Sequence, residues 1–332
     1  MQVAVFGAGA VGSLVGARLH EAGVNVRLIA RPDHARQIRE HGLRVEGGRD
    51  VRVVHVPASD RLEGAADLIL LAVKSQDVAA ACRAIARESL SATVVTLQNG
   101  VRADLEAAAV LGRDRIAGCV CYVSASYLRP GLIEVAGWGG RLLIGAPYPE
   151  SRARVEGVHE VLRQALPTSV APDFQAARWT KLIVNLPNAI LVATGLPIGR
   201  AFRIPVLARL AVAAMREGAQ VAQASSHPLE ANARGRRFRL LALLPTPLAQ
   251  ALFQGRVRRQ FPEQSQFGGS TQQSLQRGTT SELDYLNGEI VRAGADAGRR
   301  TPINSALLGR GQDVFRTRRL LTPEELVAGL DF

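Results

Sequence analysis

The chain has 332 residues, 47% of them apolar and 21% charged, a composition that excludes an intrinsically disordered protein. At roughly 150 residues per domain this length implies about two domains, and no apolar run approaches the ~18 residues that a membrane-spanning helix needs. The net charge of +12 is uneven: residues 1–170 hold 20 basic against 17 acidic side chains, whereas 171–332 hold 21 against 12.

The first segment, Val3-Ala4-Val5-Phe6, reads as a buried strand. It runs into Gly7-Ala8-Gly9-Ala10-Val11-Gly12, a helical stretch to about residue 22, and a second strand over 24–30. Strand, G-x-G-x-x-G turn, helix and strand within about 30 residues is the context that the dinucleotide-binding fingerprint requires. Gly7 permits the tight turn, Gly9 lets the backbone approach a pyrophosphate, and Gly12 lets helix and strand pack closely. The amides of the following helix start would face the phosphates.

The end of the second strand discriminates between cofactors. NAD sites usually carry an acid there for the ribose 2′-hydroxyl. Here the chain reads Ala30-Arg31-Pro32, so Arg31 would face a 2′-phosphate, and NADP is expected. Asp33, the nearest carboxylate, is expected to cap the next helix.

Further strands are expected over 67–73, ending at Lys74-Ser75-Gln76-Asp77, and over 93–97, ending at Gln98-Asn99-Gly100. Ligands of open α/β sheets sit beyond the carboxyl ends of strands. Lys74 is placed there to meet cofactor phosphate or adenine. Asn99 would hold the ribose–nicotinamide end or the substrate, or else Asn99-Gly100 is only a tight turn. Strands over 115–122, 131–136 and 141–145, a helix over 150–166 and a short strand near 170 complete a first domain, 1–172.

Residues 173–332 show helical periodicity and read as an all-α domain. Within it, Lys181, Asn185 and Asn188 fall at i, i+4 and i+7, a polar stripe on an otherwise apolar helix that Pro187 would kink toward a cleft. Ser270 is a natural N-cap after Gly268-Gly269, and Thr280 or Ser281 can cap a later helix with Glu282 or Asp284 in its first turn. The apolar helix around 207–214 is expected in the core.

Two compositional features bear on chemistry. Of 41 basic residues 39 are Arg, and the two Lys are Lys74 and Lys181. A guanidinium does not give up its proton near neutral pH, whereas an ammonium can be tuned to do so, which marks both lysines as candidates for catalysis. The densest basic patch, 233–239 with Arg256, Arg258 and Arg259, lacks the aromatic interleaving of nucleic-acid binders and reads as a solvated face. No nucleic acid or membrane is expected as a partner. Three cysteines, Cys82, Cys119 and Cys121, form no paired framework, and no leader pattern opens the chain, so a reducing, cytoplasmic setting is expected. Cys119 and Cys121 would share a strand face, and no metal site is expected.

The blocks Gly7–Gly12, Lys74, Leu97-Gln98-Asn99-Gly100, Trp179-Thr180-Lys181-Leu182 through Asn185, Ser270 and Glu282-Leu283-Asp284-Tyr285-Leu286-Asn287-Gly288 occur in the order found in ketopantoate reductases (2-dehydropantoate 2-reductases). The chain resembles that family over nearly its whole length. The resemblance implies an α/β fold, with an N-terminal Rossmann-type domain and an all-α C-terminal domain. It implies NADPH-dependent reduction of a small anionic 2-oxo acid, ketopantoate to pantoate, on the route to pantothenate and CoA. A homodimer is compatible with it. In this pattern Lys181 is the general acid, Glu282 lies beside cofactor and substrate, Asn185, Asn188 and Ser270 contact substrate, and Asn99 contacts cofactor. The chain departs from the pattern in three places. Asn188 stands one position early, Ile198 replaces an Asn before Gly199, and 227–267 is longer and richer in Arg. A paralogous reductase of another 2-oxo acid or imine, and a non-catalytic NADP-binding sensor, are the alternatives.

Overall fold

The structure is a computed structural model. It describes every residue except 48–49, 136–139, 228, 233–234, 237, 239, 241–242, 265–267 and 279, and the side chain of Ser270. The chain divides into two compact units, Met1–Phe174 and Gln175–Phe332.

The first unit is built on an eight-stranded sheet. In chain order its strands are β1 (Val3–Phe6), β2 (Val26–Ile29), β5 (Ala58–Ser59), β6 (Leu68–Leu71), β7 (Thr93–Thr96), β8 (Ile116–Tyr122), β11 (Arg141–Gly145) and β12 (Thr168–Val170). The spatial order is β12-β11-β8-β7-β6-β1-β2-β5, parallel except where β11 meets β8. The chain leaves β1 toward β2 on one side and returns to β6 on the other, which puts the topological switch beside β1.

The short central strands are apolar on both faces because helices cover both. Val3, Val5, Leu68 and Leu70 point into one core with α1 (Ala10–Glu21) and α5 (Arg152–Ala165). Ala4, Ile69, Leu71 and Val94 point into the other, with α3 (Val78–Glu88) and α4 (Ala103–Leu111). Gly16 on α1 lets that helix settle on β2, since a Cβ there would lie 2.3 Å from Leu28 Cδ2.

A second sheet was not expected from the sequence, which offered one of its strands, that over 131–136. Strands β3 (Leu43–Gly47), β4 (Asp50–Val54), β9 (Ala125–Arg129) and β10 (Leu132–Val135) form a four-stranded sheet in the order β4-β3-β10-β9. Leu43, Val45, Ile133 and Val135 join it to the core that contains α1 and α2 (Pro32–His41). Asp33 does not cap α2 as expected. Arg31 is the N-cap, Pro32 takes the first helical position, and Asp33 pairs with Arg36 at 2.8 Å. Proline favours that first position because its missing N–H would be an orphan there anyway.

The second unit has no strand among its described residues. Its helices are α6 (Phe174–Asn185), α7 (Asn188–Thr194), α8 (Ile198–Ala201), α9 (Pro205–Ala224), α10 (Thr246–Gln260), α11 (Ser270–Gln276), α12 (Asn287–Asp296), α13 (Pro302–Thr317) and α14 (Pro323–Val327). Leu207, Ala208, Leu210, Ala211, Val212 and Ala214 on α9 are buried, so the 207–214 segment is core. Small residues bring helices together: a Cβ on Gly218 would lie 2.6 Å from Leu186 Cδ1, and one on Gly311 would lie 2.3 Å from Leu283 Cδ1. Arg236, Arg256, Arg258 and Arg259 are exposed, while residues 233, 234, 237 and 239 of the basic patch lie outside the described residues.

A continuous helix through 178–189 is not observed. Pro187 has no N–H to continue the ladder, so Leu186 N–H donates to the Ile183 carbonyl at 3.3 Å and α6 ends. Pro187 becomes the N-cap of α7, and Asn188 its first residue.

Candidate functional site

The first unit gathers its candidate residues along one sheet edge. Four adjacent strands, β7, β6, β1 and β2, end in Asn99, Lys74, the Gly7–Gly12 turn and Arg31 respectively. At ~4.8 Å between neighbouring strands that edge spans about 15 Å.

The turn has the stereochemistry its glycines suggest. Gly7 has φ +97° and passes so close to β6 that a Cβ would lie 2.5 Å from Val73 N. The Gly7 and Ala8 amides donate to the Ile29 carbonyl at 2.9 and 2.8 Å, which pins the turn to β2. A Cβ on Gly12 would lie 2.7 Å from the Gly7 carbonyl oxygen, so helix and turn are in contact. Gly9 is different, because a Cβ there would meet nothing within 4 Å. The first-turn amides of α1, those of Ala10, Val11 and Gly12, are the ones helix geometry leaves without intrahelical acceptors. No acidic side chain stands in that turn. An open backbone, orphan amides and the positive end of a helix dipole together suit an anion.

Lys74 is half-buried and its carbonyl accepts from Asp77 N–H at 2.9 Å, starting a 3-10 turn. Asn99 is half-buried, and the following Gly100 has φ +89°, so the tight-turn geometry is real. Gln98, given no role from sequence, ties two strand ends together. Its Nε2 donates to the Leu71 carbonyl at 2.9 Å and to the Val73 carbonyl at 3.0 Å. Arg31 is exposed at the end of β2, its guanidinium carbon 5.7 Å from the centre of the Tyr127 ring.

A buried relay supports the turn from behind. His34 Nδ1 accepts from the Gly131 N–H at 2.8 Å, and its Nε2 lies 3.1 Å from Ser13 Oγ. Ser13 Oγ in turn donates to the Ala8 carbonyl at 3.1 Å. Burial, with a smaller contribution from the Arg31 cation, lowers the His34 pKa to about 4. The ring is therefore neutral near pH 7. With Nδ1 accepting, its proton sits on Nε2. No motif marks a lone His in an amphipathic helix, so sequence reading missed it.

In the second unit, Lys181 and Asn185 share one face of α6, Lys181 half-buried and Asn185 buried. Asn188 lies beyond the break and packs against the chain before α11. A Cβ on Gly269 would lie 2.6 Å from its Oδ1, so the Asn188 side chain sits directly against this glycine. Gly269, not Ser270, is the N-cap of α11, without a side-chain cap bond, and Ser270 is the first helical residue. The side chain of Ser270 lies outside the described residues. Glu282 is buried and precedes a 3-10 turn, Leu283–Tyr285, whose first amide donates to Ser281 Oγ at 3.0 Å. The N-cap of that turn is Glu282, not Thr280 or Ser281 as expected, and it makes no side-chain cap bond.

The break between Asn185 and Asn188 is braced by a buried polar network. Asn287 Nδ2 donates to the Leu186 carbonyl at 3.3 Å and to Asn304 Oδ1 at 2.9 Å. Asn304 Nδ2 donates to Glu217 Oε2 at 2.7 Å. The Glu217 carboxylate also accepts the amides of Ile303 and Asn304, at 3.0 and 2.7 Å, at the start of α13. Cys119 and Cys121 share a face of β8 with their Sγ atoms 3.7 Å apart. Among the described residues, the one cluster of acidic, His or Cys side chains with metal-binding spacing is Glu156, His159 and Glu160 on α5.

A mostly parallel sheet carrying this turn after one of its central strands, followed by a helical unit, defines a dinucleotide-binding protein of the Rossmann class. A family model described as "Ketopantoate reductase PanE/ApbA" matches residues 3–148, and its C-terminal counterpart matches 173–310. A 2-dehydropantoate 2-reductase of Pyrococcus horikoshii is 30% identical over 92% of this chain and 95% of its own length. The crystal structure of a PanE/ApbA family ketopantoate reductase from Ralstonia eutropha JMP134 superposes with a TM-score of 0.79 at 33% identity, covering 96% of this chain and 99% of that one. D-mandelate dehydrogenase, in a ternary structure with NADH and anilino(oxo)acetate, shares the fold with a TM-score of 0.82 at 21% identity, over 96% of this chain and 99% of that one. The chain belongs to the ketopantoate reductase family.

Proposed function

We propose that this protein reduces a 2-oxo acid with NADPH, and that 2-dehydropantoate is the substrate, as the names of its relatives suggest. The observation that carries the reading is the edge formed by Asn99, Lys74, the Gly7–Gly12 turn and Arg31 on four neighbouring strands. The open space over Gly9 and the acid-free first turn of α1 fit a pyrophosphate. Arg31, with no acid at the end of β2, fits a 2′-phosphate. Bound there, NADPH supplies the hydride that adds to the substrate's carbonyl carbon.

The chain's own groups handle the rest. As the carbonyl oxygen becomes an alkoxide it needs a proton, and the Lys181 ammonium donates one from Nζ. Glu282 orients Lys181 for that transfer. Asn185, Asn188 and Ser270 bind the polar parts of the substrate, its carboxylate included. Gly7, Ala8, Gly9, Ala10, Val11 and Gly12 cradle the cofactor with Arg31, Lys74 and Asn99. The chain is read as two domains meeting near residue 173, and as cytoplasmic. Three cysteines without disulfides support the location, and no helix among the described residues is long and apolar enough to cross a membrane. A homodimer and the absence of a nucleic-acid partner are part of the same reading.

NADPH consumption followed with ketopantoate tests it. Turnover that requires ketopantoate and prefers NADPH to NADH is expected, and no turnover with any 2-oxo acid refutes it. Ile198, the first residue of α8, favours a second reading. An apolar side chain where the family pattern has Asn suits a 2-oxo acid with another substituent. A substrate panel that ranks such an acid above ketopantoate would select it.

A further inference from the structure

The four-stranded sheet brings a residue to the cofactor edge that no motif marks. Tyr127 on β9 is half-buried, and the Arg31 guanidinium lies over its ring, 5.7 Å from the centroid. That is within the ~6 Å at which a cation is drawn to an aromatic face. The same ring is met edge-on by His34, with centroids 4.9 Å apart and 67° between the planes. His34 is fixed in turn by the Gly131 amide and by Ser13, so the ring beneath Arg31 is backed by a rigid neighbour. The carboxylate closest in sequence, Asp33, is engaged with Arg36 instead. A guanidinium drawn to an aromatic face is held through its charge, which leaves its N–H donors for a phosphate.

We propose that Tyr127 is a positioning residue for cofactor choice: its ring holds the Arg31 guanidinium where the 2′-phosphate of NADPH is to be met. The proposal rests on the NADPH reading above. Holding a long surface side chain in place and the cation–π contact are each worth a factor of a few in affinity. Both act on NADPH and neither on NADH, which has no phosphate for Arg31 to grip.

The test is the ratio of the NADH and NADPH dissociation constants, measured by calorimetry on the full-length protein. Tyr127→Leu is expected to reduce the ratio about 3- to 10-fold through NADPH alone, with NADH affinity within about twofold of wild type. Tyr127→Phe, which keeps the ring, is expected to retain the wild-type ratio. In an Arg31→Ala background Tyr127→Leu should change nothing further, because the two act through one contact. Loss of NADPH and NADH binding in equal measure would make Tyr127 a merely structural residue and overturn the proposal, as would an unchanged ratio in Tyr127→Leu. The outcomes separate the two levels. If Arg31→Ala collapses the ratio and Tyr127→Leu does not, only the role of Tyr127 falls. If Arg31→Ala leaves the ratio intact, the assignment of Arg31 to the 2′-phosphate falls with it.

Discussion

Gly7→Ala and Gly9→Ala place the same methyl group two residues apart and are expected to fail in different ways. At Gly7 the backbone is left-handed, with φ +97°, and the new Cβ would lie 2.5 Å from Val73 N and 2.6 Å from Val73 Cγ1. The first of these neighbours is backbone in a central crossover and cannot swing aside. Left-handed strain of about 1–2 kcal/mol and overpacking of about 1–3 kcal/mol together take a large share of the ~5–15 kcal/mol that holds a domain folded. At Gly9, φ is −81° and the methyl would meet nothing within 4 Å, so the fold should lose about 1 kcal/mol or less. That empty space is where a pyrophosphate would approach the amides. Displacing one charge-assisted amide–phosphate bond costs about 1.5–3 kcal/mol, or roughly a 10- to 150-fold rise in Kd. Urea midpoints and NADPH titrations of the two variants separate these effects. Gly7→Ala should show a markedly lower midpoint. Gly9→Ala should unfold near wild type yet lose most of the thermal protection that NADPH confers. Wild-type NADPH affinity in Gly9→Ala would refute the assignment of this turn to the phosphates.

Other outcomes follow from the same geometry. Lys181→Ala is expected to lower kcat at least ~10²-fold, the lower range for acid–base catalysis, and Lys181→Arg should not restore it; a fully active Lys181→Arg would mean that the residue supplies charge only. Asn287→Ala removes the donor to the Leu186 carbonyl and to Asn304, and should cost about 1–3 kcal/mol in chemical denaturation. It should also raise the KM for the 2-oxo acid, since that carbonyl lies between Asn185 and Asn188. His34 is held neutral in the folded protein down to about pH 4, whereas its unfolded value is near 6.5. The unfolded chain therefore binds the extra proton between those values, and stability should decline as pH falls from about 6.5 to 4, by roughly 3 kcal/mol in all. His34→Asn should be less stable at neutral pH but show a shallower decline, and an equally steep one would assign the effect to other groups. Burial pushes the Cys82 thiol up to about 12, so alkylation of the native protein at pH 8 should modify the half-buried Cys121 long before Cys82.

The Gly7–Gly12 turn was legible because its demands are local. Gly7 answers to a backbone angle and Gly12 to a close approach within one strand–turn–helix unit, and Gly9 leaves open space between them. The continuous apolar runs 67–73 and 93–97 were legible because a parallel strand covered on both faces has no polar side to show. The small sheet was hidden for the opposite reason. In β4 all but Val54 are exposed, and β9 contains Arg129 and exposed Leu128, so neither carries the continuous apolar run that marks the central strands. The spacing of Lys181, Asn185 and Asn188 was read as one helix because periodicity counts residues and does not register a missing donor. Pro187 ended that helix, and the position of Asn188 is now set by Gly269 and the braced turn, not by the face of α6. Cap positions were misplaced by one or two residues at Asp33 and Ser270, where proline and glycine fixed the backbone first. The Tyr127–Arg31, Asn287–Leu186 and Asn304–Glu217 contacts join residues about 90 to 100 apart, for which a single sequence offers no signal.

The Glu217 network has a bearing on how the helical unit chooses its arrangement. Its interfaces set Leu and Ile side chains, such as Leu186, Ile183 and Leu283, against small residues such as Gly218 and Gly311, and because apolar burial is non-directional, one helix sliding along another by a turn would bury much the same area. Such a slip of α13 would carry Asn304 about 5.4 Å along its axis, stranding a carboxylate in oil with no amides to receive it and taking from Asn287 its Asn304 acceptor. Hydrophobic burial draws these helices together, and it is the penalty on every misaligned neighbour that leaves a single alignment standing.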